Sequence, residues 1–431
     1  MEWRRARPGQ DSMTQPPDRS RKFVTLGFLW STQAVSFMIR YALGIVAPTL
    51  MSLYDISPQT MGYILSGWNW AYTGILPFIG PIVDRFGPWI VMGGGTVVWG
   101  LSTIALPVAT TAATLFAMRF LFGLSHGMLI PTTSTSVSRL FPVKERARAI
   151  AVAFSGNQVG LAVGATISTY ILARHGWPAV FYFLGGLTLL LSLAWFLFFP
   201  DKSIGRVTDA GDGQATSGAQ QRVPWLSLFG YRSTWGIAFG QFGYLYAYYF
   251  FISWLPTYLV RERQMTVLAT GIFAALPFWV GMLGTLGGGF LGDYLIARGV
   301  STTVSRKSII GVGLTLSTVF VIWAAFAEQA WLAGVLVTFS VGFLRLATGS
   351  CNSTPIDLAP RSAVGALTSI QNFFGNLGGL LAPIVTGYIV GATGSFVYSL
   401  VVAGGMALFG AISYVFVVGN LDTGKIQPKT I

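Results

Sequence analysis

The sequence predicts an all-α polytopic membrane protein in which twelve transmembrane helices form two pseudo-symmetric bundles of six. Apolar residues make up 53% of the 431-residue chain and charged residues only 10%, whereas a soluble domain is about one quarter charged. Apolar runs of about 20 residues, each long enough to cross roughly 30 Å of hydrocarbon, recur from end to end. One long polar stretch, residues 201–224, divides six of these runs from the other six.

The apolar runs set the order of the predicted elements along the chain. We expect the twelve spans to begin near Phe23, Met61, Pro88, Thr111, Ala149, Ala179, Thr234, Val267, Ser308, Trp331, Ala363 and Gly394. The stretch between the sixth and seventh spans is rich in Gly, Ser, Asp and Gln, which is typical of a flexible linker. The predicted organisation is a disordered basic tail (1–22), an N-terminal bundle (23–200), a linker (201–232), a C-terminal bundle (233–418) and a second tail (419–431).

The chain has a net charge of +13, and its basic residues are unevenly distributed among the loops of the predicted membrane topology. Of the 27 Lys and Arg residues, three lie within spans and three (Arg174, Arg261 and Arg263) lie in connections from odd to even spans, which leaves 21 in the tails and the other connections. This asymmetry follows the positive-inside rule and predicts that both termini and the linker are cytoplasmic, in a cell inner (plasma) membrane. Anionic lipid headgroups account for the positive excess, so the expected partner is the bilayer and not nucleic acid.

The reactive side chains of the sequence argue against an enzyme. A single cysteine, Cys351, rules out an internal disulfide, and two histidines with one cysteine cannot form a conventional zinc site. His126 beside Ser125 is the one candidate pair of base and nucleophile at span depth, and adjacent residues on a helix point apart. We therefore expect no catalytic residue, no metal and no cofactor.

The two halves carry the same short element after their second spans. The sequence "GPIVDRFG" covers residues 80–87, and "GFLGDYLIARG" covers residues 289–299. Parallel repeats of this kind are typical of transporters built from two related bundles with the binding site between them. We assign Asp84, Arg85 and Asp293 to gating at the cytoplasmic edge, with Arg146 as a loop partner.

These elements, the twelve spans and the central linker resemble the major facilitator superfamily over nearly the whole chain. The sequences "FPVKERARA" (141–149), "SGNQVGLAVG" (155–164), "WLPTYL" (254–259) and "DLAPRSAVG" (357–365) further resemble its anion:cation symporter branch. That branch includes bacterial carriers of galactonate, glucarate and hexuronates, together with sialin and the vesicular glutamate transporters. The resemblance implies the major facilitator fold and transport of an organic carboxylate by alternating access.

Three arginines, Arg40, Arg119 and Arg345, lie at mid-span depth, where a charge costs a few kcal/mol or more. All 14 Asp and Glu residues fall in tails, loops or helix ends, so we expect no acid at the depth of these arginines. Backbone carbonyls or snorkelling could satisfy any one of them, but an anionic ligand accounts for all three together. A guanidinium keeps its charge and offers paired donors that match a carboxylate.

Helical spacing groups the arginines with other polar side chains. Arg119 and His126 are seven residues apart, as are Arg345 and Asn352, which places each pair on one helix face. Neutral donors complete the predicted substrate site, with hydrogen bonding between helices as their alternative role. These donors are Tyr72, Asn157, Gln241 and Asn372. The resemblance to the sugar-acid carriers implies central-site or coupling roles for Arg40 and Arg119 and matches site positions at Tyr72, Asn157 and Asn372.

The chain differs from the proton-coupled members of the branch that it resembles at the positions of their membrane-buried acidic residues. Those members carry an Asp immediately before the first-span Arg and a Glu in the fourth span, where this chain has Ile39 and His126. Arg345 falls where the galactonate carrier has an Asn. His126 is the one titratable group at this depth that changes charge near neutral pH, and we assign it to proton coupling. An exchanger, a uniporter or an exporter, in which His126 only donates a hydrogen bond, is the alternative.

The function class that we infer is a secondary active transporter, acting as a monomer, of a small organic anion such as a mono- or dicarboxylate with polar groups. A proton is the expected coupling ion. A drug or cation exporter of the same fold would need a buried acid, which the sequence does not offer at span depth. A channel or receptor would not explain the duplicated gating element.

The predicted topology places the linker and the loop after the fifth span on opposite sides of the membrane. In a Cys351→Ser background, we expect an impermeant thiol reagent applied to intact cells to label Gly176→Cys and to spare Gly213→Cys. The reverse pattern of labelling would show that the predicted orientation is wrong.

Overall fold

The computed structural model describes residues 19–198 and 225–422, except for the side chains of a few residues within them, such as Asp84. In these ranges the chain forms thirteen α-helices and no strand. They are α1 (Arg19–Leu53), α2 (Pro58–Ala105), α3 (Ala112–His126), α4 (Leu129–Leu140), α5 (Val143–His175), α6 (Trp177–Phe198), α7 (Arg232–Arg261), α8 (Val267–Ala297), α9 (Thr302–Phe326), α10 (Ala330–Leu346), α11 (Thr348–Leu358), α12 (Arg361–Thr393) and α13 (Val397–Ile412). Most of the first predicted tail, most of the linker and the end of the second tail lie outside the described residues.

The thirteen helices of the described chain correspond to the twelve predicted spans. α2 contains the second and third spans, which separate at Gly87, where φ is 78° and ψ is 153°, a backbone conformation that favours glycine. The fourth span is α3 followed by α4, and the tenth is α10 followed by α11. Ten described segments are long and apolar enough to cross a membrane, and the other two spans are residues 58–86 and α7. The chain is an all-α multi-pass membrane protein, as the sequence predicts.

Two helices begin earlier than their apolar runs. α5 begins at Val143 rather than near Ala149, and α9 begins at Thr302 rather than near Ser308. In both places the helix continues as a basic turn beyond the apolar residues, and Ser301 caps α9 by accepting a hydrogen bond from the backbone amide of Val304. Hydropathy marks the part of a helix that lies in lipid, so it misses such a turn.

The helices pack into two bundles, α1–α6 and α7–α13, with equivalent neighbours in each. Within each bundle the first span packs on the fifth, which is α1 on α5 and α7 on α12. The second span packs on the fourth, which is α2 on α3 and α8 on α10. Glycines allow close backbone approach at the first of these contacts. A Cβ atom on Gly160 would overlap the carbonyl oxygen of Ala34, and one on Gly378 would overlap that of Phe242. The sequence repeat therefore corresponds to a repeat of helix packing.

The two bundles meet at one end of their spans and separate at the other. At the end away from the junction between α6 and α7, the hydroxyls of Tyr63 and Tyr388 lie 3.2 Å apart, and Gly62 packs against the backbone of Pro383. At the opposite end, α4 and α11 pack mainly within their own bundles, and the side chain of Phe373 is exposed. The space between the bundles is therefore closed on one side and open on the side where α6 ends and α7 begins.

The close approach of α1 and α5 predicts a specific sensitivity to a methyl group. We expect Gly160→Ala to destabilise the protein by about 1–3 kcal/mol, because the new Cβ atom must push α5 away from Ala34. The matched control is Gly186→Ala in α6, where a Cβ atom has open space and the change should be neutral or slightly stabilising. Thermal unfolding in detergent measures both variants, and equal melting temperatures would contradict the packing.

Candidate functional site in the space between the bundles

Arg40, in the middle of α1, lies at the contact between the two bundles and is 6% exposed. Its Nη2 donates a hydrogen bond to Oη of Tyr249 on α7 at 2.8 Å. Its guanidinium carbon lies 3.8 Å from the ring centroid of Trp68 and 4.3 Å from that of Phe37, within the range of cation–π attraction. Its buried Nε has no hydrogen-bond partner among the described residues. Neutral groups therefore hold Arg40 and leave its charge uncompensated.

Arg119, on α3, is 2% exposed and has still fewer partners. Its guanidinium carbon lies 5.1 Å from the ring centroid of Phe122, and its Nε has no hydrogen-bond partner among the described residues. The two salt bridges found in the described part of the chain involve other residues. Buried polar groups are almost always paired, and Arg119 keeps an unused donor at this depth.

His126 ends α3, two turns after Arg119 and on the same face, and is 2% exposed. Neither ring nitrogen has a hydrogen-bond partner among the described residues. Arg40 packs on the ring of Trp68, which is also a neighbour of the imidazole. Five aromatic rings, whose centroids are 5.6–6.4 Å away, form a box around it. They belong to Phe37, Trp68, Tyr72, Trp99 and Phe122.

Arg345 provides a second basic centre on the opposite bundle, at the end of α10. Its Nη1 donates a hydrogen bond to Oη of Tyr244 at 2.9 Å. The hydroxyl of Tyr244 donates to Oγ1 of Thr348 at 2.8 Å, and that of Thr348 donates to the backbone carbonyl of Arg345 at 2.7 Å. Gln158, on α5 of the other bundle, turns its amide oxygen to Arg345 and accepts from Nε at 2.8 Å and from Nη2 at 2.9 Å. This orientation of the amide follows from the network, because a guanidinium can only donate.

Two neighbouring tyrosines of α7 connect the basic centres. The ring of Tyr248 lies 4.7 Å from the guanidinium carbon of Arg345, and its hydroxyl accepts a hydrogen bond of 3.1 Å from the amide nitrogen of Gln158. Tyr249 accepts a hydrogen bond from Arg40, and the ring centroids of Tyr248 and Tyr249 lie 6.1 Å apart. The positive groups of both bundles thus face one aromatic and hydroxyl-bearing surface.

The interruptions of the fourth and tenth spans lie beside these centres. α3 ends at His126 and α4 begins at Leu129, whereas α10 ends just after Arg345 and α11 begins at Thr348. The two broken spans occupy equivalent positions in the two bundles. Broken helices near the membrane midplane are typical of transporter sites, because they bring polar groups and helix ends into the cavity.

Acidic residues of the described chain lie away from the three arginines. Asp357, the acid closest to the membrane interior, accepts a hydrogen bond from Nε of Arg306 at 3.2 Å. Glu262 lies at the other end of the bundle and accepts from the hydroxyl of Ser395 at 2.6 Å and from a backbone amide at the start of α13. In the described part of the chain, neither salt bridge involves Arg40, Arg119 or Arg345.

The remaining predicted ligand residues differ in their placement. The buried Oδ1 of Asn157 has no hydrogen-bond partner among the described residues, and Tyr72 lies against His126. Gln241 is buried within the C-terminal bundle, where its Oε1 accepts from the hydroxyl of Tyr414 at 2.9 Å. The ligand role predicted for Gln241 stays a prediction, and we leave it out of the proposed site. Asn352 and Asn372 are exposed in the open half of the molecule.

Two contacts were not ranked by sequence reasoning. Gln158 is a neutral donor beside Asn157 in "SGNQVGLAVG", and the resemblance ranks Asn157 above it; Tyr249 is one of several tyrosines in "QFGYLYAYY". Their depth and polarity are visible in the sequence. Which of two adjacent residues faces the other bundle depends on the rotation of each helix, and the sequence pattern does not fix that rotation.

The predicted gating residues lie at the open end, where their contacts include an arginine, a backbone carbonyl and an aromatic ring. Asp293 is exposed, and its carboxylate lies 4.0 Å from Nη1 of Arg306. The Nε of Arg306 binds Asp357, so Arg306 on α9 joins α8 to α11. Arg146 donates from its Nε to the carbonyl of Phe141 at 2.9 Å. Arg85 is exposed and lies over Phe86, and the side chain of Asp84 lies outside the described residues. The gating role of these residues stays a prediction.

Two bundles of related helices around a buried basic site define a membrane transporter. The sequence profile of the Major Facilitator Superfamily matches residues 29–343, and the chain belongs to this family. It is a transporter and not an enzyme.

Relatives of known assignment cover nearly all of the chain. The "Hexuronate transporter" of Bacillus subtilis (strain 168) is 30% identical over 398 residues, which cover 91% of this chain and 94% of the relative. The "Probable galactarate/D-glucarate transporter GudP" of Escherichia coli (strain K12) is 31% identical and covers 90% of this chain and 91% of its own length. The "D-galactonate transporter" of Escherichia coli O6:H1 is 30% identical, with 93% and 96% covered.

Solved structures with a similar fold include a bacterial homologue of the human lysosomal transporter Spinster. That structure, in an inward-facing and unoccupied conformation, superposes with a TM-score of 0.81 over 96% of this chain and 100% of the other, at 16% identity. The inward-facing, occupied form gives a TM-score of 0.78. At this identity the likeness shows the fold alone.

Proposed function

We propose that this transporter carries a small organic anion, a carboxylate of the sugar-acid class, by alternating access. The observation that carries the proposal is the set of three guanidiniums between the bundles, held by neutral groups with no acid beside them in the described chain. A bound carboxylate would supply the missing negative charge and paired acceptors. The names of the relatives, which are transporters of hexuronate, galactarate/D-glucarate and galactonate, support this substrate class.

The arrangement of the bundles supports alternating access. The site lies between a closed end and an open end, and both bundles contribute residues to it. A ligand held from both sides can favour closure of the open end, because binding energy shifts the balance between two conformations. With the loop charges distributed as in the sequence, the open end faces the cytoplasm of a cell whose inner membrane holds the protein.

Arg40 and Arg119 are the residues on which we expect the anion to depend. Replacing either with Gln should weaken carboxylate binding at least about 30-fold, since removing one partner of a buried charge pair costs about 2 kcal/mol or more. Lys should restore binding poorly, because an ammonium lacks the planar fork of the guanidinium. Isothermal titration of the purified protein with D-galactonate, galactarate and D-galacturonate measures the loss.

The matched control for these variants is Arg298→Gln. Arg298 is exposed just after α8, lies over the ring of Tyr294 and is not one of the proposed site residues, so its loss should leave binding intact. Monodisperse elution of every variant establishes that it still folds. Near-native affinity in both Arg40→Gln and Arg119→Gln would show that the anion binds elsewhere.

His126 is the residue that we propose for proton coupling. An anion entering a cell against an inside-negative potential faces about 2.3 kcal/mol per charge per 100 mV, so concentrative uptake needs a compensating cation. The family's usual acids are replaced here by Ile39 and His126. A bound carboxylate would offset the positive charges of Arg40 and Arg119 and so favour a proton on the ring. By reciprocity the proton would tighten anion binding.

Uptake into proteoliposomes tests the coupling. We expect an inward proton gradient to drive accumulation of the bound carboxylate several-fold above equilibrium, and His126→Asn to abolish this accumulation while anion exchange continues. Accumulation by His126→Asn in response to the gradient would contradict the role of His126. Wild-type uptake that ignores the gradient would indicate the exchanger, uniporter or exporter instead.

A further inference from the structure

The two basic centres of the site belong to opposite bundles. Arg40 and Arg119 lie on α1 and α3 of the N-terminal bundle, and Arg345 lies on α10 of the C-terminal bundle. The rings of Tyr248 and Tyr249 lie between them, one against each centre. A single carboxylate group bound at one centre therefore leaves the other uncompensated.

The contact of Arg345 with Gln158 shows which edge of its guanidinium a ligand would use. Nε and Nη2 converge on one oxygen at 2.8 and 2.9 Å, and these two nitrogens form an edge that can bind a carboxylate with two parallel hydrogen bonds. The occupant is a neutral amide, which satisfies the donors without neutralising the charge. Gln158 is also the group by which the opposite bundle reaches Arg345.

We propose that the carrier prefers dicarboxylates, with one carboxylate bound by Arg40 and Arg119 and the second displacing the amide oxygen of Gln158 from Arg345. This inference rests on the proposed function, since it assigns the substrate class of the same site. The displaced amide and the hydroxyl of Tyr248 remain beside the ligand and can bind hydroxyls of its chain.

The charge count favours a dianion over a monoanion. Three guanidiniums face the site and no described acid pairs with them, so a dianion reduces the uncompensated charge further than a monoanion does. Displacing an amide oxygen also exchanges a dipole for a full negative charge at the same two donors, which adds a Coulomb attraction that the amide does not supply. A neutral or hydroxyl end of a ligand offers Arg345 no such gain over Gln158.

The preference is measured with three six-carbon probes of the same configuration. Galactarate carries two carboxylates, and D-galactonate and D-galacturonate carry one each. We expect the purified full-length protein to bind galactarate at least about tenfold more tightly than either monocarboxylate in isothermal titration, since one charge-assisted pair is added.

Two variants of the proposed contact test the role of Arg345. Arg345→Gln should reduce the ratio of galactarate affinity to D-galactonate affinity to about one, because the second carboxylate loses its partner. Gln158→Glu is isosteric and supplies an internal carboxylate to Arg345, so it should lower galactarate affinity about tenfold relative to D-galactonate and raise the melting temperature of the empty protein. The second variant keeps the test decisive if the first fails to fold. Arg298→Gln is the control for loss of a positive charge.

The outcomes separate this inference from the proposed function. Equal binding of all three probes by the wild type, or an unchanged affinity ratio in Arg345→Gln or Gln158→Glu, would overturn the dicarboxylate preference and leave carboxylate transport standing. Absence of binding for every probe would overturn the proposed function itself. A collapsed ratio in Arg345→Gln with an unchanged one in Arg298→Gln would establish the preference.

Discussion

The burial of positive charge without an acid is the constraint on which the arrangement of the site depends. Removing a charged group from water costs several kcal/mol even after relaxation, and a whole domain is stable by only about 5–15 kcal/mol. The fold answers with neutral partners, which are aromatic faces for Arg40 and tyrosine and amide oxygens for Arg345. Such dipoles make the charges tolerable without cancelling them. The site therefore keeps its positive charge.

The position of these charges links binding to the movement of the bundles. Arg40 binds Tyr249 and Arg345 binds Gln158, so each centre is held by a group from the opposite bundle. Positive charges on the two bundles repel each other, and the anion of the proposed function would remove that repulsion. Such an anion would favour closure of the open end, which is the differential interaction that alternating access needs.

The membrane explains why so much of this fold could be predicted from sequence. Lipid requires apolar helix surfaces of fixed length, so the spans, the repeat and the depth of the arginines are visible along the chain. The second span (residues 58–86) and α7 carry residues that contact the arginines, among them Trp68, Tyr249 and Tyr244. Helical spacing identifies one face of one helix. It does not show that Tyr249 meets Arg40 or that Gln241 turns toward Tyr414, because those contacts depend on how closely packed helices such as α7 and α12 rotate against each other.

The charge of the substrate and the number of protons carried with it together set the net charge that crosses the membrane in each transport cycle. His126 is the titratable side chain that lies among the basic groups, and it can bring one proton. A monocarboxylate carried with that proton crosses without net charge, so the membrane potential neither helps nor opposes it. A dicarboxylate with one proton carries one net negative charge, and an inside-negative potential then opposes uptake by about 2.3 kcal/mol per 100 mV. Uptake of the dianion with one proton therefore moves net negative charge, and the pH difference across the membrane must drive it against the potential. The current that accompanies transport therefore reports substrate valence and proton number together.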